Sequence, residues 1–184
     1  PTPRWLSLAR AITDAEPLPP VLHTLAAEVS AETNETTAIG APAGTQVVFL
    51  DVVESTQPIR YFARIGDRVP IHASSAGRAL LALHTLEERQ SLYRKIAFDA
   101  FTNNTPLTDQ KVEAEINAAL KRGYHQSDSE YVPDLAGVAL PLSAAQRRLC
   151  IVVAGPSSRC LRRRADIADT IQRRVKRHAR ALSL

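Results

Sequence analysis

Two pairs of β-rich runs, each joined by a short turn, constrain the fold of this chain most strongly. Residues 36–41 and 46–53 flank the turn Pro42-Ala-Gly-Thr45, and residues 137–142 and 149–154 flank a second, polar turn. Turns this short join antiparallel neighbours, because a parallel pair needs a crossover of about a dozen residues or more. The sequence therefore predicts an antiparallel sheet.

Helical segments stand before, between and after these runs. Pro20 begins one helix, since proline is favoured in a first helical turn. Thr85-Leu-Glu-Glu88 is a capping box that starts another, and Thr108 starts a helix that ends near Gly123. This order of elements predicts an α+β domain in which helices pack on the faces of the antiparallel sheet.

The segment from Arg68 to Ala82 follows a third strand predicted over 59–65 and turns through small residues into an apolar helix. The helix is predicted to begin near Ser74 or Ser75, so its first backbone N–H groups have no intrahelical acceptor. Such groups favour a carboxylate or a phosphate. The structural alternative is that Ser74 or Ser75 only caps the helix, as serine often does.

Positive charge is concentrated at the C-terminal end. Residues 159–180 contain nine Lys or Arg but only Asp166 and Asp169 as acids, within a formal net charge of +4 for the chain. This stretch is predicted to be an amphipathic helix with a basic outer face. A solvated face is favoured over nucleic-acid binding, because aromatic platforms and a groove-reading motif are missing from it. The predicted apolar face consists of Leu161, Ala165, Ala168, Ile171, Val175, Ala179 and Leu182.

Composition excludes several classes of protein. No run approaches the ~18 apolar residues of a membrane span. Cys150 and Cys160 form no CxxC motif and have no histidine at metal-ligand spacing, which predicts a reduced, cytoplasmic protein without a metal site. Neither glycine-rich nucleotide motif occurs, and we predict no cofactor. The length of 184 residues is consistent with a single domain over 1–184.

Three segments resemble the effector-binding domain of the IclR-type bacterial transcription regulators. They are residues 68–82, Arg-Val-Pro-Ile-His-Ala-Ser-Ser-Ala-Gly-Arg-Ala-Leu-Leu-Ala, then Arg122-Gly-Tyr-His-Gln-Ser-Asp-Ser-Glu-Tyr131, and Gly137-Val-Ala-Leu-Pro-Leu142 leading to Val153-Ala-Gly-Pro156. The resemblance covers nearly the whole chain and implies a GAF-like fold. It also implies binding of small metabolites and assembly into dimers or tetramers.

In that family an N-terminal winged helix-turn-helix contacts DNA. No winged helix lies within these 184 residues, so DNA binding is expected only through a domain that this chain lacks. Residues 1–16, with a helix predicted roughly over Trp5–Thr13, are expected to be the end of the interdomain linker. The expected partners are a small organic acid and further copies of the chain, and no membrane is expected.

The resemblance also implies the residues of the effector site. Ser75 and Ala76, next to Ser74, match positions whose backbone N–H groups hold a carboxylate in small-acid sensors. Tyr61 matches a lining position, or is simply core, and Glu130 either lines the pocket or pairs with an arginine or a loop backbone. The implied site residues are Tyr61, Ser74, Ser75, Ala76, Ser127, Asp128, Glu130, Gly137, Val152 and Ala154, with Asp128 as the acid if the alignment shifts by one.

The residues at these positions differ from those of glyoxylate or pyruvate sensors, which carry an acid, a thiol and two hydroxyls there. Gly137, Val152 and Ala154 lack such groups. A very small polar acid would then leave polar groups unpaired, at a cost of ~1–3 kcal/mol each. We therefore expect a larger, flatter, partly apolar acid such as a hydroxybenzoate. An aliphatic keto or hydroxy acid is the alternative.

Two other classes of function compete with sensing. A hydrolase would use Ser74 or Ser75 with His72 or His125 and Asp128, but the turn does not read GxSxG and no oxyanion partner is evident. No catalytic residue is therefore predicted. The second competitor is a ligand-free oligomerisation module, which a closed, dry pocket would favour.

Overall fold

The computed structural model describes residues 18–144 and 146–182. Six strands form one sheet in which all neighbouring strands are antiparallel. The strands are β1 (Thr36–Ala43), β2 (Gln46–Val53), β3 (Arg68–Pro70), β4 (His125–Asp128), β5 (Leu135–Ala144) and β6 (Arg147–Pro156). Their order across the sheet is β3-β2-β1-β6-β5-β4. The predicted antiparallel sheet and both hairpins, β1–β2 and β5–β6, are confirmed.

The helices cover both faces of this sheet. They are α1 (Pro20–Thr33), α2 (Ser75–Leu81), α3 (Leu86–Tyr93), α4 (Asp109–Arg122), α5 (Ser157–Cys160), α6 (Arg164–Arg177) and α7 (Ala179–Leu182), with a 3-10 turn at Leu161–Arg163. The capping box at Thr85 and Glu88 forms as predicted, and Gly123 ends α4 in the left-handed conformation. The α+β class is confirmed.

Side chains that alternate along the strands divide the core into two clusters, one on each face of the sheet. On one face, α1 and α6 pack over Ile39, Ile151 and Val153. On the other face, α2 packs over Ala38, Val152 and other buried residues, with α3 and α4 beyond it. We call these the filled face and the cavity face, since the candidate site lies on the second.

The third strand predicted over 59–65 is wrong, because only Arg68–Pro70 forms β3. Residues 59–65 are rich in β-branched and aromatic residues, but Ile59 and Ile65 project into solvent. Side chains replace a strand ladder here: the Thr36 hydroxyl donates to the Tyr61 carbonyl at 2.6 Å. Conversely, β4 is not predicted from its sequence, since His-Gln-Ser-Asp is no β-rich run, and it forms by pairing with β5.

The predicted C-terminal helix is interrupted, and its apolar face is partly wrong. A 3-10 turn at Leu161–Arg163 separates α5 from α6. Within α6 the predicted Ala168 and Ile171 are buried together with Ile167, whereas Ala165, two residues before Ile167, lies on the opposite side and is exposed. The linker helix expected over Trp5–Thr13, within 1–16, lies outside the described residues.

Part of the basic outer face holds α1 in place. Arg173 and Arg174 of α6 both pair with Glu32, and the distance from Arg174 Nη2 to Glu32 Oε2 is 2.8 Å. Arg174 also reaches Glu28, at 3.2 Å. Hydrogen bonds from the two arginines lower the pKa of Glu32 to about 2. These arginines are therefore engaged within the fold.

Candidate ligand-binding site

A cavity of about 40 Å³ lies on the cavity face, between the sheet and the start of α2. Val132, which is 40% exposed, belongs to its lining, so the cavity reaches the surface. Its wall is mostly apolar. The lining residues are Thr36, Ala38, Phe49, Tyr61, Val69, Ala73, Ser74, Ser75, Ala76, Ser127, Glu130, Tyr131, Val132, Leu135, Ala136, Gly137, Val152 and Ala154.

The start of α2 leaves hydrogen-bond donors free at the cavity. The Ser74 hydroxyl caps the helix, accepting from the Gly77 amide at 3.1 Å and donating to the Pro70 carbonyl at 2.7 Å. Within the described chain, the amides of Ser75 and Ala76 meet no acceptor. The capping alternative thus holds for Ser74, while the next two N–H groups stay available.

Gly137 lets two hydroxyls approach each other. A Cβ at this position would lie 2.5 Å from Ser75 Oγ and 2.9 Å from Ser127 Oγ, so the hydroxyls occupy the space that a side chain would fill. Ser75 is only 2% exposed, and neither hydroxyl makes a hydrogen bond among residues 18–144 and 146–182. Neither oxygen is among the fully buried unpartnered atoms, so each keeps some accessible surface at the cavity that both residues line. These two groups are therefore available to a bound molecule.

An ion pair closes one side of the cavity. The guanidinium of Arg78, a residue only 1% exposed, binds both carboxylate oxygens of Glu130 at 2.6 and 2.8 Å. It also donates to the carbonyls of His72, at 3.2 Å, and Gln126. Glu130 therefore both lines the cavity and pairs with an arginine, which joins the two alternatives that its sequence left open.

Three titratable side chains near the cavity, those of Tyr61, His72 and His125, are neutral near pH 7. Burial, with smaller contributions from Asp67 and Tyr131, raises the pKa of Tyr61 to about 12, so its phenol remains a hydrogen-bond donor. Burial, assisted by the positive charges of Arg78 and Arg122, lowers the pKa of His125 to about 4. Burial also lowers the pKa of His72, whose ring contacts the Asp99 carbonyl at 3.3 Å.

The structure brings nine of the ten predicted site residues to one cavity. They are Tyr61, Ser74, Ser75, Ala76, Ser127, Glu130, Gly137, Val152 and Ala154. Asp128 lies elsewhere, because neighbouring residues of a strand point to opposite faces. Its carboxylate accepts from the hydroxyls of Ser129 and Ser157 at 3.1 and 3.2 Å and lies 3.6 Å from the Arg164 guanidinium.

Several lining residues were not anticipated from the sequence. Thr36 and Ala38 lie two residues apart on β1 and face the cavity together, as does Phe49 on β2. Their period-two spacing could have identified the first two as sharing a face. Tyr131 packs edge-on against Phe101, with ring centroids 5.0 Å apart, a contact between segments that no local pattern indicates.

The arrangement does not support nucleophilic catalysis. The Ser74 hydroxyl is used in capping, and neither Ser74 nor Ser75 is hydrogen-bonded to a histidine in the described part of the chain. A serine nucleophile needs such a base within hydrogen-bond reach. Among the same residues, no group of three His, Cys, Asp or Glu could hold a metal ion. No described helix is long and apolar enough to cross a membrane.

Fold and cavity together define an α+β domain with a mostly apolar cavity on one face of its sheet. More particularly, the chain belongs to the family described as bacterial transcriptional regulator IclR C-terminal, which matches residues 11–184. The relatives in this family are transcription regulators and not enzymes. The hydrolase alternative is therefore set aside.

Individual relatives agree with this assignment. The probable transcriptional regulator SauR of Cupriavidus necator is 27% identical over 132 residues, which are 72% of this chain and 52% of that protein. The acetate operon repressor of Salmonella typhimurium is 29% identical over 143 residues, 76% of this chain and 52% of that protein. The chain thus spans about half the length of the curated relatives it matches.

The fold agrees as well. The crystal structure of the Thermotoga maritima IclR superposes with a TM-score of 0.86 and 18% identity, over 100% of this chain and 76% of that one. At this level of identity the likeness concerns the fold alone.

Proposed function

We propose that this domain binds a small organic anion in the cavity and acts as the effector-binding part of an IclR-type transcription regulator. One observation carries the proposal: free donors converge on an otherwise apolar cavity. These donors are the amides of Ser75 and Ala76 and the hydroxyls of Ser75 and Ser127. Hydrogen bonds from such donors to an ionised carboxylate are shorter and stronger than bonds between neutral groups.

The rest of the ligand would face apolar side chains. Ala38, Val152 and Ala154 line the wall formed by β1 and β6, and Phe49 lines it from β2. A molecule with one polar end and a small apolar body suits these surroundings, because burying a further polar group without a partner costs free energy.

Cavity size favours a ligand of a few heavy atoms. A buried water needs ~10–15 Å³ of such volume, so a cavity of about 40 Å³ has room for about three waters. An aliphatic keto or hydroxy acid fits this space. A hydroxybenzoate, the ligand expected from the sequence, would require the cavity to widen. The hydroxyls of Ser75 and Ser127 would supply polar contacts in place of the acid, thiol and two hydroxyls that small-acid sensors carry at the positions of Ser127, Gly137, Val152 and Ala154.

Signalling requires that the ligand bind two arrangements of the protein with different affinity, since equal affinity shifts no equilibrium. In the proposed regulator, the change would pass between copies of this domain, in a dimer or tetramer, to DNA-binding domains outside this chain. The regulator would act in the cytoplasm. A ligand-free oligomerisation module is the competing proposal.

The test is a thermal-shift series with aliphatic and aromatic carboxylates at about 0.15 M salt, which screens weak anion binding to the basic helix. A ligand at ~100 times its Kd adds ~2.7 kcal/mol of stability. We expect small aliphatic acids to produce the largest shift. Ser75→Ala should weaken binding about five- to tenfold, the value of one hydrogen bond, and Ala76→Pro should weaken it further by removing an amide donor.

Ser157→Ala is the matched control, because this hydroxyl binds Asp128 and does not line the cavity. It should leave acid binding unchanged. If no acid stabilises the domain, or if binding is the same in Ser75→Ala, Ala76→Pro and the control, this site is not an acid site and the assembly module is favoured.

A further inference from the structure

The charge on Arg78 is cancelled by Glu130, which lines the cavity, whereas Arg78 lies behind it. Its guanidinium is held by both carboxylate oxygens of Glu130 and by the carbonyls of His72 and Gln126, and its side chain is 1% exposed. The Thr105 hydroxyl also donates a hydrogen bond to the backbone carbonyl of Glu130 at 2.6 Å. The pair is thus net neutral, and Glu130 is its member in the cavity wall.

No other charge faces the cavity within the described chain. Glu130 is the sole charged residue among those that line it there. A carboxylate bound at the start of α2 therefore meets neutral N–H and O–H donors, and its charge is not matched by a cation. A second carboxylate on the same molecule would be desolvated without any cation to receive it, which costs much more than burying an apolar group.

We propose that the Arg78–Glu130 pair, by cancelling the Arg78 charge, makes the cavity selective for molecules that carry a single carboxylate. This inference rests on the proposed function, because it concerns the acid that occupies the same site. Glu130 contributes by neutralising Arg78, and it does so from 52 residues away along the chain. The pair therefore determines specificity through charge and adds no direct bond to the ligand.

Two isosteric acids provide a test, since oxamate and oxalate have the same size and differ in one negative charge. Their affinities are measured by calorimetry for the wild-type domain and three variants. Glu130→Gln leaves one uncompensated positive charge, Arg78→Met leaves one negative charge, and the double variant Arg78→Met/Glu130→Gln leaves none.

We expect the wild-type domain to bind oxamate about tenfold more tightly than oxalate. In Glu130→Gln, oxalate should gain roughly tenfold relative to oxamate, the effect of a unit charge at about 10 Å in an effective dielectric constant near 20. Arg78→Met should weaken both acids and oxalate more. The double variant should return to the wild-type ratio, since apolar replacement of a buried pair is often tolerated.

The outcomes separate this inference from the proposed function. If the acid series above shows no binding at this site, both fail. If oxamate binds and depends on Ser75, yet oxalate binds equally well or the ratio is the same in Glu130→Gln, the charge inference is overturned and the acid site stands. If Glu130→Gln does not fold, the double variant is the deciding test. Loss of the preference for oxamate over oxalate in the double variant overturns the inference. A retained preference, together with weaker binding of both acids to Arg78→Met, supports it.

Discussion

The two faces of the sheet are built from adjacent residues of the same strands, yet large apolar side chains cover one face and a cavity lies on the other. On the filled face, α1 and α6 bring Leu25, Val29 and Ile171 against Ile151 and Val153. On the cavity face, α2 contributes the small residues Ser75 and Ala76 to the cavity lining, and β6 contributes Val152 and Ala154. Under the proposed function, one face therefore contributes mainly stability and the other binds the ligand.

Charged pairs lie on both sides of the sheet. The cavity face contains the buried Arg78–Glu130 pair and His125, which are needed to shape a binding site but add little net stability when buried. On the filled side, Arg173 and Arg174 pair with Glu28 and Glu32 at the surface, where each bond contributes little, while Arg159 pairs with the buried Glu35.

Acid should destabilise the domain through the cavity face. The pKa of His125 is lowered to about 4 from 6.5, so below pH 6.5 the unfolded chain binds a proton that the folded chain does not. Stability is therefore complete above pH 6.5 and is lost as the pH falls towards 4, by roughly 3 kcal/mol for a difference of about 2.5 pKa units.

Urea unfolding of the wild-type domain and His125→Gln at pH 7 and pH 4.5 measures this effect. The variant should lose less stability between the two pH values. His72, whose pKa is also lowered, remains in both proteins and cancels in the difference. An identical loss in both would mean that His125 takes no part.

Two neighbouring valines of β6 compare the faces directly. Val153 points into the filled face, and Val152 points into the cavity. Val153→Ala removes two buried methyl groups and leaves a void, which should cost about 2–3 kcal/mol. Val152→Ala enlarges an existing cavity and should cost about 1 kcal/mol.

Urea unfolding of the two variants gives the stability difference, and acid affinity gives the functional one. Val152→Ala should change the size preference among acids, while Val153→Ala should not. Equal stability losses with equal acid profiles would remove the proposed division between the faces.

Two glycines, one on each face, allow a third comparison of stability and acid affinity. Gly137→Ala places a methyl group 2.5 Å from Ser75 Oγ, a hydroxyl that can rotate away, so the stability cost should be only about 1 kcal/mol. Acid affinity should fall about tenfold because the hydroxyls no longer converge. In Gly155→Ala, the new methyl group would lie 2.3 Å from Glu35 Oε2 and disturb its pair with Arg159.

Gly155→Ala should therefore lower the free energy of unfolding more than Gly137→Ala does and leave acid affinity unchanged in the folded protein. Denaturant unfolding and acid titration of both variants supply the measurements. A loss of affinity in Gly155→Ala equal to that in Gly137→Ala would show that the loss does not come from the cavity.

Elements whose signals are local could be predicted from the sequence. Ser74, Thr85 and Thr108 each cap a helix through a hydroxyl that binds an amide three residues later, so a short window contains the whole interaction. The two hairpins behave similarly, since a short turn brings adjacent runs together.

Elements whose partners are distant could not be predicted in the same way. Residues 59–65 have the composition of a strand, but they form no strand, and side chains bind the carbonyls of Ile59 and Tyr61 instead. Strand β4 has no strand signal of its own and exists because β5 pairs with it. The site residues were predicted from the family resemblance. Nine of them line the cavity, and the tenth, Asp128, does not.

By itself, the sequence determined the class of fold, the helix starts and the turn at Ser74–Ser75, because these depend on contacts within a few residues. Only the tertiary structure decided that Glu130 neutralises Arg78, that Gly137 makes room for two hydroxyls and that Asp128 points away. Each of these depends on atoms brought together from separate parts of the chain, and the closeness of such atoms is set by packing rather than by spacing in the sequence.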